Sequence, residues 1–237
     1  MTRSFDLTRR LVAEAVGTGF LLCAIVGSGI MAERLAGGSE GLALLANTVS
    51  TGAVLVTLIL TFGPISGAHL NPAVSLASGM EGGLPVAEVA GYVAVQVVGG
   101  MLGVLVANAM FELPVIALAS KVRAGPHQLF SEFVATFGLL SVIWGCSRLR
   151  SPAVPFAVGA YITAAFWFTS STSFANPAVT IARSLSDSFA GIRILDAPAF
   201  IGAQILGMVA ATLLFRWLVP DLERVAPRMI GRALEDD

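Results

Sequence analysis

The chain has 237 residues, of which 56% are hydrophobic and only 12% charged, and its formal net charge is −1. A soluble domain carries roughly 25% charged residues. Together with a mean hydropathy of +0.83, this composition points to bilayer-spanning helices, and the balanced charge excludes a basic nucleic-acid surface. Cys23 and Cys146 lie inside apolar runs. Two thiols make neither a disulfide framework nor a thiolate zinc site, so they read as reduced core side chains. The sequence shows no metal-ligand cluster and no phosphate-binding glycine motif, so neither a cofactor nor enzyme chemistry is expected.

Six apolar runs have spanning length, roughly 20 residues each. They fall at about Leu11–Ala32, Gly41–Phe62, Val86–Phe111, Gln128–Gly145, Ala153–Ser170 and Ala197–Val219. Arg9-Arg10 before the first run imitates a signal peptide. Glu14 interrupts that run, and it continues to Met31, so it reads as a retained first helix.

The second run leads into Ser66-Gly67-Ala68-His69-Leu70-Asn71-Pro72-Ala73-Val74, and the fifth into Ser173-Phe174-Ala175-Asn176-Pro177-Ala178-Val179. Asn is a favoured helix N-cap and Pro a favoured first helical residue, so each Asn-Pro-Ala reads as a helix start. The apolar stretches that follow, Asn71–Gly79 and Asn176–Leu185, are about ten residues long. Ten residues rise about 15 Å, half a hydrocarbon core. They fit re-entrant half-helices. The unwound backbone before each one is allowed at that depth only where it faces a cavity. The carbonyls of Gly67, Ala68 and His69, and of Ser173, Phe174 and Ala175, are therefore expected to form an acceptor ladder.

The halves match. Glu14 pairs with Glu132, Asn71 with Asn176, and Gln96 with Gln204, at offsets of 118, 105 and 108 positions. Three spans and a half-helix form one repeat used twice, about 8–111 and 128–219, followed by a tail at 220–237. Three spans are odd in number, so the repeats are inverted and the half-helix tips meet near the midplane. With both termini cytoplasmic, the inner segments hold Arg3, Arg9, Arg10, Arg148, Arg150, Arg216, Arg224, Arg228 and Arg232. The outer segments hold Arg34, Lys121, Arg123, Arg183 and Arg193. This bias favours that orientation.

A charged residue at the bilayer centre costs at least ~2.5–3.5 kcal/mol on insertion scales. Glu14 and Glu132 read as acceptors for the backbone N–H groups of the two loops, with proton carriage as the competing reading. Gln96 and Gln204 read as further polar pins. Each Asn oxygen can cap its own half-helix and leave the amide facing the lumen. The two helix N-termini add positive potential there. Gly99 and Gly103, matched by Gly207 and Ala211, suit close helix packing. Phe166, Trp167 and Phe168 read as an interfacial anchor or as a pore-facing aromatic.

Six spans, inverted repeats and two Asn-Pro-Ala half-helices with paired Glu and Gln resemble the aquaporin (major intrinsic protein) family, from Glu14 to Gln204. The run Asn-Pro-Ala-Val-Thr-Ile-Ala-Arg is similar to a bacterial subgroup, the AqpS-like channels found with arsenic-resistance genes. The resemblance implies an all-α fold of six transmembrane helices plus two re-entrant half-helices. It also implies a homotetramer with one pore per subunit, in a bacterial inner membrane. It implies passage of small neutral solutes: glycerol, urea, trivalent metalloids such as arsenite, and water. It places His69 on the pore, where the alternative is a histidine tying the loop to a neighbouring helix. Family spacing gives Thr51, Ala164, Ser173 and Val179 as the filter. Val179 stands where most members have Arg, so all four are small and uncharged. Arg183, four residues on, could guard the vestibule, snorkel, or pair with Asp187. A proton-coupled transporter using Glu14 and Glu132 is the competing function.

Overall fold

The computed structural model describes residues 5–149 and 151–219, the side chains of residues 148, 149 and 151 excepted. The tail expected over 220–237, and Arg3, Arg150, Arg224, Arg228 and Arg232 of the charge count, lie outside the described residues, as does the side chain of Arg148. Among the described residues, regular structure is entirely helical. The α-helices are α1 (Leu7–Leu35), α2 (Glu40–Ser66), α3 (Pro72–Met80), α4 (Val86–Met110), α5 (Pro126–Leu149), α6 (Val154–Phe168), α7 (Pro177–Ala182) and α8 (Ala197–Leu218).

Helices α1, α2, α4, α5 and α8 are long and apolar enough to cross a bilayer. Helix α6 has 15 residues, a rise of about 22 Å at 1.5 Å per residue. It follows a single 3-10 turn, Ser151–Ala153. The short helices start where the Asn-Pro pairs stand. Asn71 accepts from the Ala73 N–H at 2.9 Å, and Asn176 from the Ala178 N–H at 2.9 Å. Pro72 and Pro177 occupy first helical positions. Helix α3 runs nine residues and α7 only six, because the chain tightens into a 3-10 turn at Arg183–Leu185.

Helix α1 lies along α4 and α2, α5 lies along α8 and α6, and α2 meets α6. Helices α3 and α7 each touch both α4 and α8, and touch one another. The long helices approach closely at glycine. A Cβ on Gly99 would stand 2.2 Å from the Ala15 carbonyl oxygen, and one on Gly207 would stand 2.4 Å from that of Phe133. Only a residue without a side chain allows backbone to rest on backbone there. Burial runs opposite to that of a water-soluble bundle. Phe20, Leu102, Leu206 and Trp217 face outward, while Glu14, Gln96, Glu132 and Gln204 are fully buried. Such a surface suits lipid, and such an interior needs internal hydrogen bonds.

Candidate functional site

Two loops carry the site. The chain leaves α2 through Gly67, at φ 90°, and runs to α3 with Ala68 and Leu70 at φ 45° and 49°. The second loop repeats this with Ser173 and Ala175, both at φ 49°. Left-handed non-glycine residues cost roughly 1–3 kcal/mol each and persist where surroundings hold them. Here two buried carboxylates do so. Glu14 Oε1 accepts from Ser66 Oγ at 2.6 Å and the His69 N–H at 2.9 Å. Its Oε2 accepts from the Leu70 N–H at 2.7 Å and Gln96 Nε2 at 2.8 Å. Glu132 accepts from the N–H groups of Phe174 and Ala175 at 2.8 and 2.9 Å and from Gln204 Nε2 at 2.7 Å. Gln96 also donates to Ser75 Oγ, and Gln204 to Thr180 Oγ1. Neither glutamate reaches the cavity wall.

The loop tips meet. Asn71 Nδ2 donates to the Ala175 carbonyl and Asn176 Nδ2 to the Leu70 carbonyl, both at 2.8 Å. The two amides are therefore not wholly free, as the capping argument alone expects. Each commits one N–H across the tips and keeps one, since an amide nitrogen carries two. The Ala175 carbonyl of the expected acceptor ladder thereby takes one bond across the tips and keeps a second lone pair. Pro72, Ala73, Pro177 and Ala178 form the first helical turns behind the asparagines and stand back from the cavity wall.

A cavity of about 90 Å³ runs past both asparagines. At ~10–15 Å³ of such space per water, it holds a short file of small molecules. Its lining combines the aliphatic side chains of Leu21, Ile25, Leu55, Leu139 and Ile143 with the loop residues Gly67, Ala68, His69, Phe174 and Ala175. His69 Nδ1 lies 3.1 Å from Ser75 Oγ and its ring centroid 5.4 Å from that of Tyr92, while its buried Nε2 has no protein partner. The His69 ring packs on Tyr92 of α4, and the residue is among those that line the cavity.

Of the filter positions, Thr51, Ser173 and Val179 line the cavity and Ala164 does not. Ala164 is exposed on the outward face of α6. The lining stripe of α6 is Val154, Val158, Ile162 and Phe166, spaced by four as one helix face requires. The expectation of four small residues is corrected: α6 supplies a buried phenyl ring. Thr51 Oγ1 donates to the Asn47 carbonyl, and Ser173 Oγ is buried without a partner.

Arg183 neither snorkels nor pairs with Asp187. It is 2% exposed and lines the cavity. Its Nε donates to the Ala190 carbonyl, and its Cζ lies 3.6 Å from the Phe174 ring centroid. Asp187 is exposed and accepts from the Ser120 N–H and hydroxyl, both at 2.9 Å. Those bonds, the backbone one foremost, hold its carboxyl below the usual range. Sequence reasoning missed Arg123. Its side chain is buried, donates to the carbonyls of Gly191 and Ser171 at 2.8 and 3.1 Å, and sits 5.0 Å from the Phe174 ring centroid. Burial pulls its guanidinium down to about 10, so it stays charged at neutral pH. An arginine in a loop between two spans carries no signal of such a role.

The family model "Major intrinsic protein" matches residues 1–152, more than half of the chain. The chain belongs to the major intrinsic protein family. Aquaglyceroporin AqpS of Rhizobium meliloti (strain 1021) is 54% identical over 217 residues, covering 92% of this chain and 93% of that protein. Aquaporin Z of Rhodopseudomonas palustris is 31% identical over 231 residues, 90% of this chain and 95% of that one. The X-ray structure of the aquaglyceroporin from Plasmodium falciparum superposes with a TM-score of 0.70 at 19% identity. The match covers 92% of this chain and 100% of that one, a likeness of fold. This major intrinsic protein is a multi-pass integral membrane channel with the aquaporin fold, and no enzyme.

Proposed function

We propose that the chain is a passive channel for small neutral solutes rich in hydroxyl or amide groups. Glycerol, urea, uncharged trihydroxy metalloids such as arsenous acid, and water are its substrates. The observation that carries this reading is the mixed lining of the cavity: aliphatic side chains from Leu21, Ile25, Leu55 and their neighbours, and unwound loop backbone ending at Asn71 and Asn176. The loop N–H groups of His69, Leu70, Phe174 and Ala175 are turned to the glutamates. The carbonyls of Gly67, Ala68, His69, Ser173 and Phe174 therefore serve the lumen. A polyol lays its carbons on the aliphatic side chains and its hydroxyls on the loop backbone. The free N–H of each asparagine donates at the centre. Thr51, Phe166, Ser173 and Val179 form the narrow part, with Arg183 at its mouth. Arsenous acid is uncharged at neutral pH and displays its hydroxyls much as a small polyol does.

No observation favours proton coupling. A proton carrier needs a carboxylate oxygen facing the path. Both oxygens of Glu14 are already doubly hydrogen-bonded, and neither glutamate lines the cavity. We further propose a homotetramer with one pore per subunit in a bacterial inner membrane, both termini cytoplasmic, following the family resemblance and the arginine bias.

The test is stopped-flow permeability to water, glycerol, urea and arsenous acid in one preparation of proteoliposomes, with and without a proton gradient. The expected result is downhill equilibration of the solutes, indifferent to the gradient. Uptake above equilibrium driven by protons would overturn the reading.

A further inference from the structure

The seam between α1 and α4 has a counterpart in the second repeat, between α5 and α8. Backbone rests on backbone in both. A Cβ on Gly103 would stand 2.0 Å from the Gly19 carbonyl oxygen, as one on Gly207 would meet that of Phe133. The two seams differ in the side chains beside that contact. Phe133 and Phe137 stand where α5 comes closest to α8, and both are half-buried. Their rings stack in a column with that of Phe130, at centroid spacings of 6.3 and 6.2 Å. By the offset of the repeats, their counterparts on α1 are Ala15 and Gly19. The first seam has no rings there.

What is left is an open groove of about 480 Å³. Its glycines, Gly19, Gly99 and Gly103, are buried or half-buried, whereas Val16, Phe20, Val98 and Leu102 are exposed. The small residues therefore lie deep and the large ones at the edge. The lining side chains are apolar throughout, the Cys23 thiol being itself a small hydrophobe.

Length, width and chemistry identify an occupant. Helices α1 and α4 run parallel: Arg10 pairs with Glu88 below the groove, and Arg34 donates to the Phe111 carbonyl beyond it. The groove takes Ala15–Cys23 of α1 and Ala94–Val106 of α4. Those rises are about 12 and 18 Å, and one leaflet contributes about 15 Å of hydrocarbon. A helix is about 10–12 Å across and docks in a membrane where small residues let backbones approach. Here α1 and α4 have already spent their small residues on each other. The exposed Val16, Phe20, Val98 and Leu102 keep a helix of a second copy off, and admit an unbranched chain between them. No polar side chain is present to answer a headgroup or a peptide.

We infer that the α1–α4 seam is a binding groove for one phospholipid acyl chain, drawn from the leaflet on the α1 N-terminal side. The chain lies where the second repeat has its own phenyl rings. Lipid tails touch every outer face, but in the groove a tail meets protein below and on both flanks, and dispersion grows with the number of contacts. Glu14 and Gln96 join the same two helices on their buried side, so the occupied groove braces the helix pair that holds the first loop.

The test uses the full chain in phosphatidylethanolamine vesicles containing a trace of the same lipid with a diazirine midway along one acyl chain. Adducts formed on illumination are mapped by peptide mass spectrometry. Those on Phe20, Val98 and Leu102 should exceed those on Leu206 and Leu213, which α8 exposes, by about tenfold, the ratio expected of a modestly retained chain. Ala15→Phe installs the residue of the second repeat and should bring the groove down to the α8 level. Ala94→Phe fills the same groove from α4, and carries the test if Ala15→Phe does not give a monodisperse protein in detergent. Even labelling of groove and α8 in the wild type overturns the inference, and so does groove labelling that the filled variants keep. A groove that takes no adduct also overturns it, and marks this face as one covered by a second copy.

Discussion

Two loops of one plan stand on either side of the channel centre. A buried glutamate gathers the N–H groups of each, a glutamine braces each glutamate, and the tips exchange hydrogen bonds. Beyond that the loops diverge. In the first, His69 packs on Tyr92 with ring centroids 5.4 Å apart, and the Tyr92 hydroxyl donates to the Ser66 carbonyl. In the second, Phe174 packs on Phe200, also at 5.4 Å. With no phenol there, Arg123 donates to the matching Ser171 carbonyl. The posts that hold the backbone are duplicated, while the ring positions and their donors differ. One mouth thus carries a neutral polar pair and the other two guanidinium groups. The backbone posts and the residues around the rings are separate sets.

The largest effect should come from the shared posts. Glu132→Ala strands two buried N–H groups and an amide, each worth about 1–3 kcal/mol. A loss of ~3 kcal/mol or more should appear as a lowered unfolding temperature in detergent or as failure to reach the membrane. Glu14→Ala should lose more, because that carboxylate takes four donors where Glu132 takes three. The reverse order would break the comparison.

Next in size is the second-loop filter. Val179→Arg should cut glycerol and metalloid flux on the order of tenfold, and more than water flux, by narrowing a wall whose selectivity depends on its lining. Equal loss of all three at normal expression would detach Val179 from the filter.

The smallest effect concerns the exposed contact between Ser120 and Asp187. The Asp187 carboxyl is held low by Ser120. A folded pKa below the unfolded one stabilises above the usual carboxylate range, near 3.9, and that contribution fades as pH falls through the lowered value. Protection of the Ser120 amide from hydrogen exchange, corrected for intrinsic rate, should be flat from about pH 8 to 5 and drop below about pH 4. Asp187→Asn should remove the pH dependence. The pair is solvent-exposed, so screening keeps the effect small.

The posts were legible because they repeat. Asn71 and Asn176, Glu14 and Glu132, and Gln96 and Gln204 fall in corresponding places, and charge or capping chemistry leaves each few roles. The rotation of α6 was not legible. Val154, Val158, Ile162 and Phe166 line the cavity, but the outward residues of that helix are also apolar, so no amphipathic stripe marks the inner face. Family spacing therefore points to Ala164, whereas Phe166 is the residue that lines the cavity. The cross-tip bonds of the asparagines depend on a partner more than 100 residues away, and local capping rules do not reach that far. Arg183 presented three local options, and a ring on the other side of the loop decided among them.

The exchange between Asn71 and Ala175 also bears on how the chain is made. The emerging polypeptide delivers its first half-helix about 100 residues before the carbonyl that completes it. Until then one tip sits in the bilayer with a donor and an acceptor unanswered, an unfavourable state in lipid. Biogenesis therefore ends with a mutual closure. The early half, already braced by Glu14 and Gln96, receives its last hydrogen bonds only when the late half inserts.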